Sequence, residues 1–428
     1  MEKQTTLFAG AGRSQVQIDP AWLPMEKFSG IHDAPCARAL LLKTPKGEFL
    51  LLSLELTSLI GNVVEEFKET AASAAQVSPE NVWVSVTHTF AVPHFLAGPM
   101  LAHAGRTEIE RSDAYKAAFL SAARAAASAA AQSLTPATLS VGSGASAVNA
   151  NRDMETPKGW WIGVNPYGHC ARTVDILRVD SAVGESIGLI YHYGMQSSVL
   201  DNVFDEDGSR LISTDLVGVT SRVLEASRGG VAIFLPGASG DQCPRERARY
   251  DAVSVEGSIE TIDLGQKAGF EIAARLGREL AGDVERTLEQ AAAPLDAEYV
   301  TVERHTFPCP KQVKQFEGFP VPTLGYKPIP DGTIDTTVEV LRIGQSFAAV
   351  GVLPELNCIT GQAIRHQSPV SVTWVAQMIN GGQKYMVDNA SFDRGTYGAM
   401  NGFFSRGAAE ELVRRVRNIW NGTEGDNL

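Results

Sequence analysis

The sequence predicts an α/β layered fold, with buried mixed sheets covered by helices and a metal site at strand ends. Three observations carry that expectation. Strand-like and helix-like stretches are interspersed along the whole chain. Several strand-like runs are apolar on nearly every residue, which requires sheets covered on both faces. The chain is 428 residues long, 44% hydrophobic and 20% charged, so it can bury a large core.

Taken in order, "ARALLLKT" and "EFLLLSLEL" read as buried strands, followed by "IGNVVEEFKETAASAAQ", whose apolar spacing is helical. "NVWVSVTHT" returns as a strand. The stretch "AAFLSAARAAASAAAQSL", Ala117 to Leu134, is mostly alanine and contains Arg124, so it reads as a packed helix rather than a membrane span. "TVDILRVDS", "SIGLIYHY" and "GGVAIFLPG" are further strands, and "AGFEIAARLGRELAGDVERTLEQA" is a long helix. "AAAPLDAE", Ala291 to Glu298, is a candidate sub-boundary. The strand pattern resumes beyond it in "VEVLRIGQSFAAVGVLPE", which favours one domain over residues 1–428. Between them, "FPCPKQVKQFEGFPVPTLGYKPIPDGT" is rich in proline and aromatics without a period, the mark of a functional loop or a lid.

Composition excludes several function classes. The net charge of −12 and pI of about 5.2 argue against nucleic-acid binding, which needs a basic surface. No basic tract points to stable membrane association, and no segment reaches the roughly 20 apolar residues of a spanning helix. The N-terminus has no apolar core of signal-peptide length. The five cysteines form no CxxC pair, so a reduced, cytoplasmic protein without a thiolate zinc site is expected. A small-molecule substrate is the expected partner, and a homo-oligomer is compatible with the sequence.

Only eight histidines occur, and three ligand-capable residues share one context. His88 in "VSVTHTFAVPHF", His192 in "LIYHYGMQSS" and Glu355 in "AAVGVLPELNCITG" each follow or close an apolar strand, before a turn. Two imidazoles and a carboxylate meeting at strand ends are metal ligands by type. Taken singly, each also reads as a satisfied structural histidine or a solvated glutamate.

The motifs "VTHTF", "NANR", "NPYGH", "TVDILRV", "YHYGM", "LISTDLVG", "FLPGASGDQCP", "LPELNCITGQAIR" and "NGGQKYMVDNASFDRGTYG" occur in the order found in the neutral/alkaline, non-lysosomal ceramidase family. "GIHDAPCARALLL" is similar to that family's opening strand, and the resemblance runs from about Gly10 to Val416. It implies a zinc ion held by two histidines, a glutamate and a tyrosine, roles that fall on His88, His192, Glu355 and Tyr385. It further implies that Tyr397 stabilises an oxyanion and that Arg152 of the "NR" motif reaches the substrate. Zinc in such a site acidifies water and polarises a carbonyl.

The chain departs from the family in places. Where the family reads THTHSGP, this chain has "THTFAVP", so Phe90 replaces a second histidine beside the metal. Phe90, His94 and Asp241 are the candidate substrate-binding residues. His94, His103 and His169 are alternatives for the lost imidazole, and Asp241 either orients a ligand or caps its turn. The family's "GDxSP" serine is Cys243, which reads as packing rather than as a nucleophile. Trp160, Trp161, Tyr167, Phe316, Phe319 and Tyr326 either line a pocket or cover the sheet. The chain resembles a bacterial homologue without the family's C-terminal immunoglobulin-like domain, and it carries no export signal. Together these readings imply a zinc-dependent hydrolase that cleaves an amide bond of a small soluble substrate by metal-activated water. An ester, lactone or glycosidic bond, or lyase or isomerase chemistry, are the alternatives.

Overall fold

The structure is a computed structural model that describes residues 7–254, 258–316 and 320–422. Two sheets stack face to face, with helices on both outer surfaces. The larger sheet runs Val231–Pro236, Ser186–Tyr193, Thr173–Ser181, Thr135–Ala145, Phe8–Gln15, Cys36–Thr44, Gly47–Leu54 and Val82–Val86. A short strand, Ala293–Leu295, adds to it along Thr135–Ala145. The smaller sheet runs Val300–Gln312, Pro330–Ile343, Phe347–Val352 and Val372–Gln377. Both are mixed: each has one or two parallel pairs, among them Gly47–Leu54 with Val82–Val86 and Phe347–Val352 with Val372–Gln377.

The apolar runs are explained by this stacking. Along Cys36–Thr44, Ala39 and Leu41 join the cluster packed by the helices Asn62–Ala75 and Arg106–Gln132. Leu40 and Leu42 point to the other face, where Leu341, Phe347, Ala349 and Trp374 of the second sheet meet them. Successive side chains alternate faces, so a strand buried on both is apolar throughout. Each such leucine contributes about 2 kcal/mol of burial. At the opposite end of the large sheet, Leu216 of Asp215–Arg228 and Leu276, Leu280 and Val284 of Gly265–Ala291 cover Ile176, Tyr191 and Phe234. The second sheet's outer face packs on Cys358–His366 and Ala408–Asn421 through Ile364, Leu412 and Val416. The layer order is therefore helix, sheet, sheet, helix.

The residues after the 291–298 boundary share this interior, since Val300 and Leu295 lie in the same cluster as Leu40. The proline-rich stretch is partly regular: Phe307–Gln312 ends a 13-residue strand. Pro308 and Pro310 are tolerated because that strand is the sheet's edge, and alternate positions there need no donor to a neighbour. "VEVLRIGQSFAAVGVLPE" is two antiparallel strands rather than one, reversed at Gly344, which sits at φ 57°. Among the described residues, no helix is long and apolar enough to cross a membrane.

Candidate active site

The candidate ligands lie where strands of both sheets run out at their carboxyl ends. His88 follows Val82–Val86 by two residues and adopts φ 56°, a left-handed turn uncommon for a non-glycine residue. Backbone bonds hold that turn on both sides. Thr87 N and Thr89 N donate to Leu54 and Leu56, and Ser197 N donates to the His88 carbonyl. The His88 ring is 3% exposed. Its Nδ1 lies 2.7 Å from the Thr57 carbonyl, which can only accept, so Nδ1 carries the hydrogen. Nε2 then faces Glu355 Oε2 across 3.1 Å.

Glu355 is placed by the smaller sheet. It lies three residues beyond Phe347–Val352 and pairs in parallel with Tyr385, so these two side chains are set by one short ladder. Burial works to raise the Glu355 pKa, but the His88 ring, Arg152 and Lys384 outweigh it and hold it below the ordinary carboxylate value. Arg152 lies on the strand Asn149–Thr156, with its guanidinium carbon 5.0 Å from the Tyr385 ring centre and 5.3 Å from that of Tyr397. Gln196 joins the groups. It accepts from Arg152 Nη1 at 3.0 Å and donates to Glu355 Oε2 at 2.9 Å. Arg152 Nε and Nη2 are buried without a partner among the described residues. Burial pushes the Tyr397 phenol up to about 12, against the pull of Arg152. Its oxygen accepts from Asn401 Nδ2 at 2.7 Å, which leaves the phenolic hydrogen to donate elsewhere.

His192 closes the strand Ser186–Tyr193. Its Nδ1 donates to the Leu235 carbonyl at 3.0 Å, and its ring stacks on Trp374, 5.2 Å between centres at 7°. Burial lowers its pKa to about 4, so the ring is neutral. Gly237 leaves the space it needs: a Cβ there would stand 3.2 Å from His192 Cε1.

A cavity of about 700 Å³ opens over this constellation, the size of a small-molecule site. His88, Phe90, His94, Arg152, Glu355, Tyr385 and Tyr397 line it. The remaining predicted residues lie elsewhere. His192 and Asp241 are not in its lining, nor are His103 and His169. Asp241 accepts from Cys358 N, at the start of the helix Cys358–His366, at 2.7 Å and from Asn151 Nδ2 at 3.2 Å, so its carboxylate ties a helix start to a strand rather than capping its own turn. His94 is ion-paired at 2.9 Å with Glu26. The Cys243 thiol lines the cavity, but burial pushes its pKa up to about 11. Among the aromatics, Trp161 faces the cavity and packs edge-on against Tyr397. Trp160 instead carries Arg394 over its ring, and Tyr167 is 96% exposed. Tyr326 is buried, donating to Gln312 Oε1 with Phe316 beside it, and Phe319 lies outside the described residues.

No protein-family model matches the chain, and no curated protein matches it in sequence. Among solved structures it is similar to the neutral ceramidase from Pseudomonas aeruginosa, with TM-score 0.70 and 15% identity over 97% of this chain and 74% of that one. The fold is neutral-ceramidase-like. A ceramidase complexed with C2 gives TM-score 0.72 and 15% identity over 97% of this chain and 75% of that one.

Among the described residues, no group of three His, Cys, Asp or Glu side chains is close enough to hold a metal. The donor chemistry nonetheless suits a divalent cation. His88 gives Nδ1 to a backbone carbonyl, the arrangement that orients an imidazole ligand, and turns Nε2 toward Glu355, whereas His192 makes the same bond outside the cavity lining. The 3.1 Å between His88 Nε2 and Glu355 Oε2 is close to the separation of two ligands that each sit about 2.1 Å from one ion. Tyr385, an oxygen donor outside that set of residue types, adjoins Glu355.

Sequence reasoning missed Gln196, Thr57 and Asn401. Gln196 stands inside the quoted motif "YHYGMQSS", and Asn401 is one helical turn past Tyr397. The Thr57 role belongs to its backbone carbonyl and leaves no mark on residue type.

Proposed function

We propose that this chain is a metal-dependent hydrolase that cleaves the amide bond of a small substrate. What carries the reading is the meeting of His88, Glu355, Tyr385, Arg152 and Tyr397 on one cavity wall of a ceramidase-like fold. His88 Nε2, Glu355 and Tyr385, which share the cavity lining, would hold zinc, and His192, outside that lining, is left out of the set. When bound, the ion supplies Lewis acidity toward a carbonyl and makes water a better nucleophile at neutral pH.

The chain's own groups do the rest. Tyr397 keeps its proton at neutral pH and donates it as a hydrogen bond to the carbonyl oxygen as charge develops there. Arg152 offers Nε and Nη2, both without a protein partner, to the same oxygen. Gln196 fixes the guanidinium against Glu355, so these donors need little reorganisation during the reaction.

Elemental analysis of the purified protein, combined with turnover of an N-acyl amide panel, tests this reading. Wild type should carry about one zinc per chain, and His88→Ala should lose both metal and turnover. A His88→Ala protein with full zinc and full activity would overturn the assignment. Cleavage of an ester or lactone is the second reading. Phe90 places an apolar ring 4.7 Å from the His88 ring where the family has an imidazole, and an oxygen leaving group needs less proton assistance than an amine. Relative turnover of matched amide and ester pairs separates the two.

A further inference from the structure

The cavity is richer in unpaired cations than a protein of net charge −12 leads one to expect. Arg247 is spent on Asp201 at 3.0 Å and His94 on Glu26 at 2.9 Å. Glu355 faces His88 and Gln196. That leaves Arg152, Arg210 and Lys384, all in the cavity lining.

Arg210 is the unusual member. It begins the short strand Arg210–Ile212 and is 9% exposed. Its guanidinium carbon lies 4.1 Å from the Phe28 ring centre and 5.6 Å from that of Phe204. One donor, Nη2, meets the Phe90 carbonyl at 2.7 Å. Among the described residues no carboxylate lies within ion-pair distance of it, although burying an unpaired guanidinium is costly. Of its five N–H donors, the structure assigns one. The two flanking rings and the carbonyl hold the guanidinium in place, and a planar guanidinium fork is suited to bidentate recognition of a carboxylate. The Phe90 carbonyl also ties this cation to the segment two residues past His88, beside the proposed reaction centre. Lys384 has no ion-pair partner among the described residues, and its charge acts on Glu355.

We propose that Arg210 anchors a carboxylate of the substrate, with Lys384 as a second cation of the same cavity, so that the site takes an amide bearing a free carboxylate. The word amide rests on the hydrolase reading above; the carboxylate site does not.

The test compares N-octanoylglycine with its uncharged isostere N-isobutyloctanamide on the metal-loaded protein. Affinity is read by calorimetry for ligands that stay intact, and as KM for those turned over. N-butylsuccinamate, with its carboxylate on the acyl side, is compared with its own isostere N-butyl-4-methylpentanamide and shows which half of the substrate Arg210 reads. At least one of the two acids should bind wild type about 30-fold or more tighter than its isostere. Arg210→Gln should remove most of that preference and leave isostere affinity unchanged, Arg210→Lys should restore part of it, and Lys384→Gln should cost about threefold. An acid-to-isostere ratio that stays at the wild-type value in Arg210→Gln, or no preference for either acid, overturns the proposal. If Arg210→Gln does not fold, unchanged ratios in both Arg210→Lys and Lys384→Gln overturn it equally. Arg210-dependent binding of an acid without any product would sink the hydrolase reading and leave the carboxylate site standing. Hydrolysis of the isostere with no acid preference would do the reverse.

Discussion

Replacing Gln196 with methionine tests the bridge that organises the site. Gln196 is 2% exposed and makes two bonds, one from Arg152 Nη1 and one to Glu355 Oε2. Methionine keeps the length and removes both. Hydrogen bonds to charged groups are worth about 1.5–3 kcal/mol each, so the gross loss is about 3–6 kcal/mol. Arg152 already has Nε and Nη2 buried without a partner among the described residues, and the substitution removes the acceptor of Nη1. The apolar surface gained by the thioether returns about 1 kcal/mol. A net loss of about 2–5 kcal/mol follows, a large share of a typical stability of about 5–15 kcal/mol. Urea unfolding followed by tryptophan fluorescence measures it, and kcat should fall at least tenfold as the guanidinium loses its fixed position. A loss below about 1 kcal/mol with unchanged kcat would show that Gln196 neither holds Arg152 nor relieves its burial.

Three further predictions follow from the same geometry. Tyr397→Phe removes one donor to the developing oxyanion and should lower kcat about 10²–10³-fold while elemental analysis finds wild-type zinc. Gly237→Ala places a methyl 3.2 Å from His192 Cε1 and 3.1 Å from Gly194 N. It should cost about 1–3 kcal/mol in thermal unfolding. Burial raises the pKa of Asp215 from 3.8 to about 6, against two backbone N–H donors. Between pH 4 and 6 the unfolded chain has released this proton and the folded chain has not, so Asp215's contribution to stability falls as pH rises through that window, by about 3 kcal/mol. Asp215→Asn should flatten that part of the stability curve, read as the difference in urea midpoints between variant and wild type. A difference that does not change with pH would refute the burial argument.

The fold was legible where burial on both faces wrote itself into composition. Leu40, Leu41 and Leu42 in a row are intelligible only if helices cover one side and a second sheet the other. The layer order itself was not legible, because apolar side chains carry no label for which partner they meet. The edge strand through Pro308 and Pro310 was hidden for a related reason: proline usually marks a loop, and only its edge position makes it compatible with pairing. At the site, His88, Glu355 and Tyr385 could be placed from motif and strand-end context. Gln196 and Arg210 could not, since their roles are contacts with residues 159 and 120 positions away in sequence. Tyr167 shows the converse error. An aromatic in a glycine-containing turn, read as either pocket lining or cover for the sheet, does neither and lies almost fully in solvent.

The His192 imidazole rests flat on Trp374, one ring from each of the two stacked sheets. The proposed site is divided in the same way, with His88 and Arg152 from one half and Glu355, Tyr385 and Tyr397 from the other. Fragments separated between Leu295 and Val300 would each contain an intact set of strands yet only part of those groups. Reconstitution of turnover from two such pieces would demand that they reassociate in register, which makes activity itself a gauge of how the sheets are aligned.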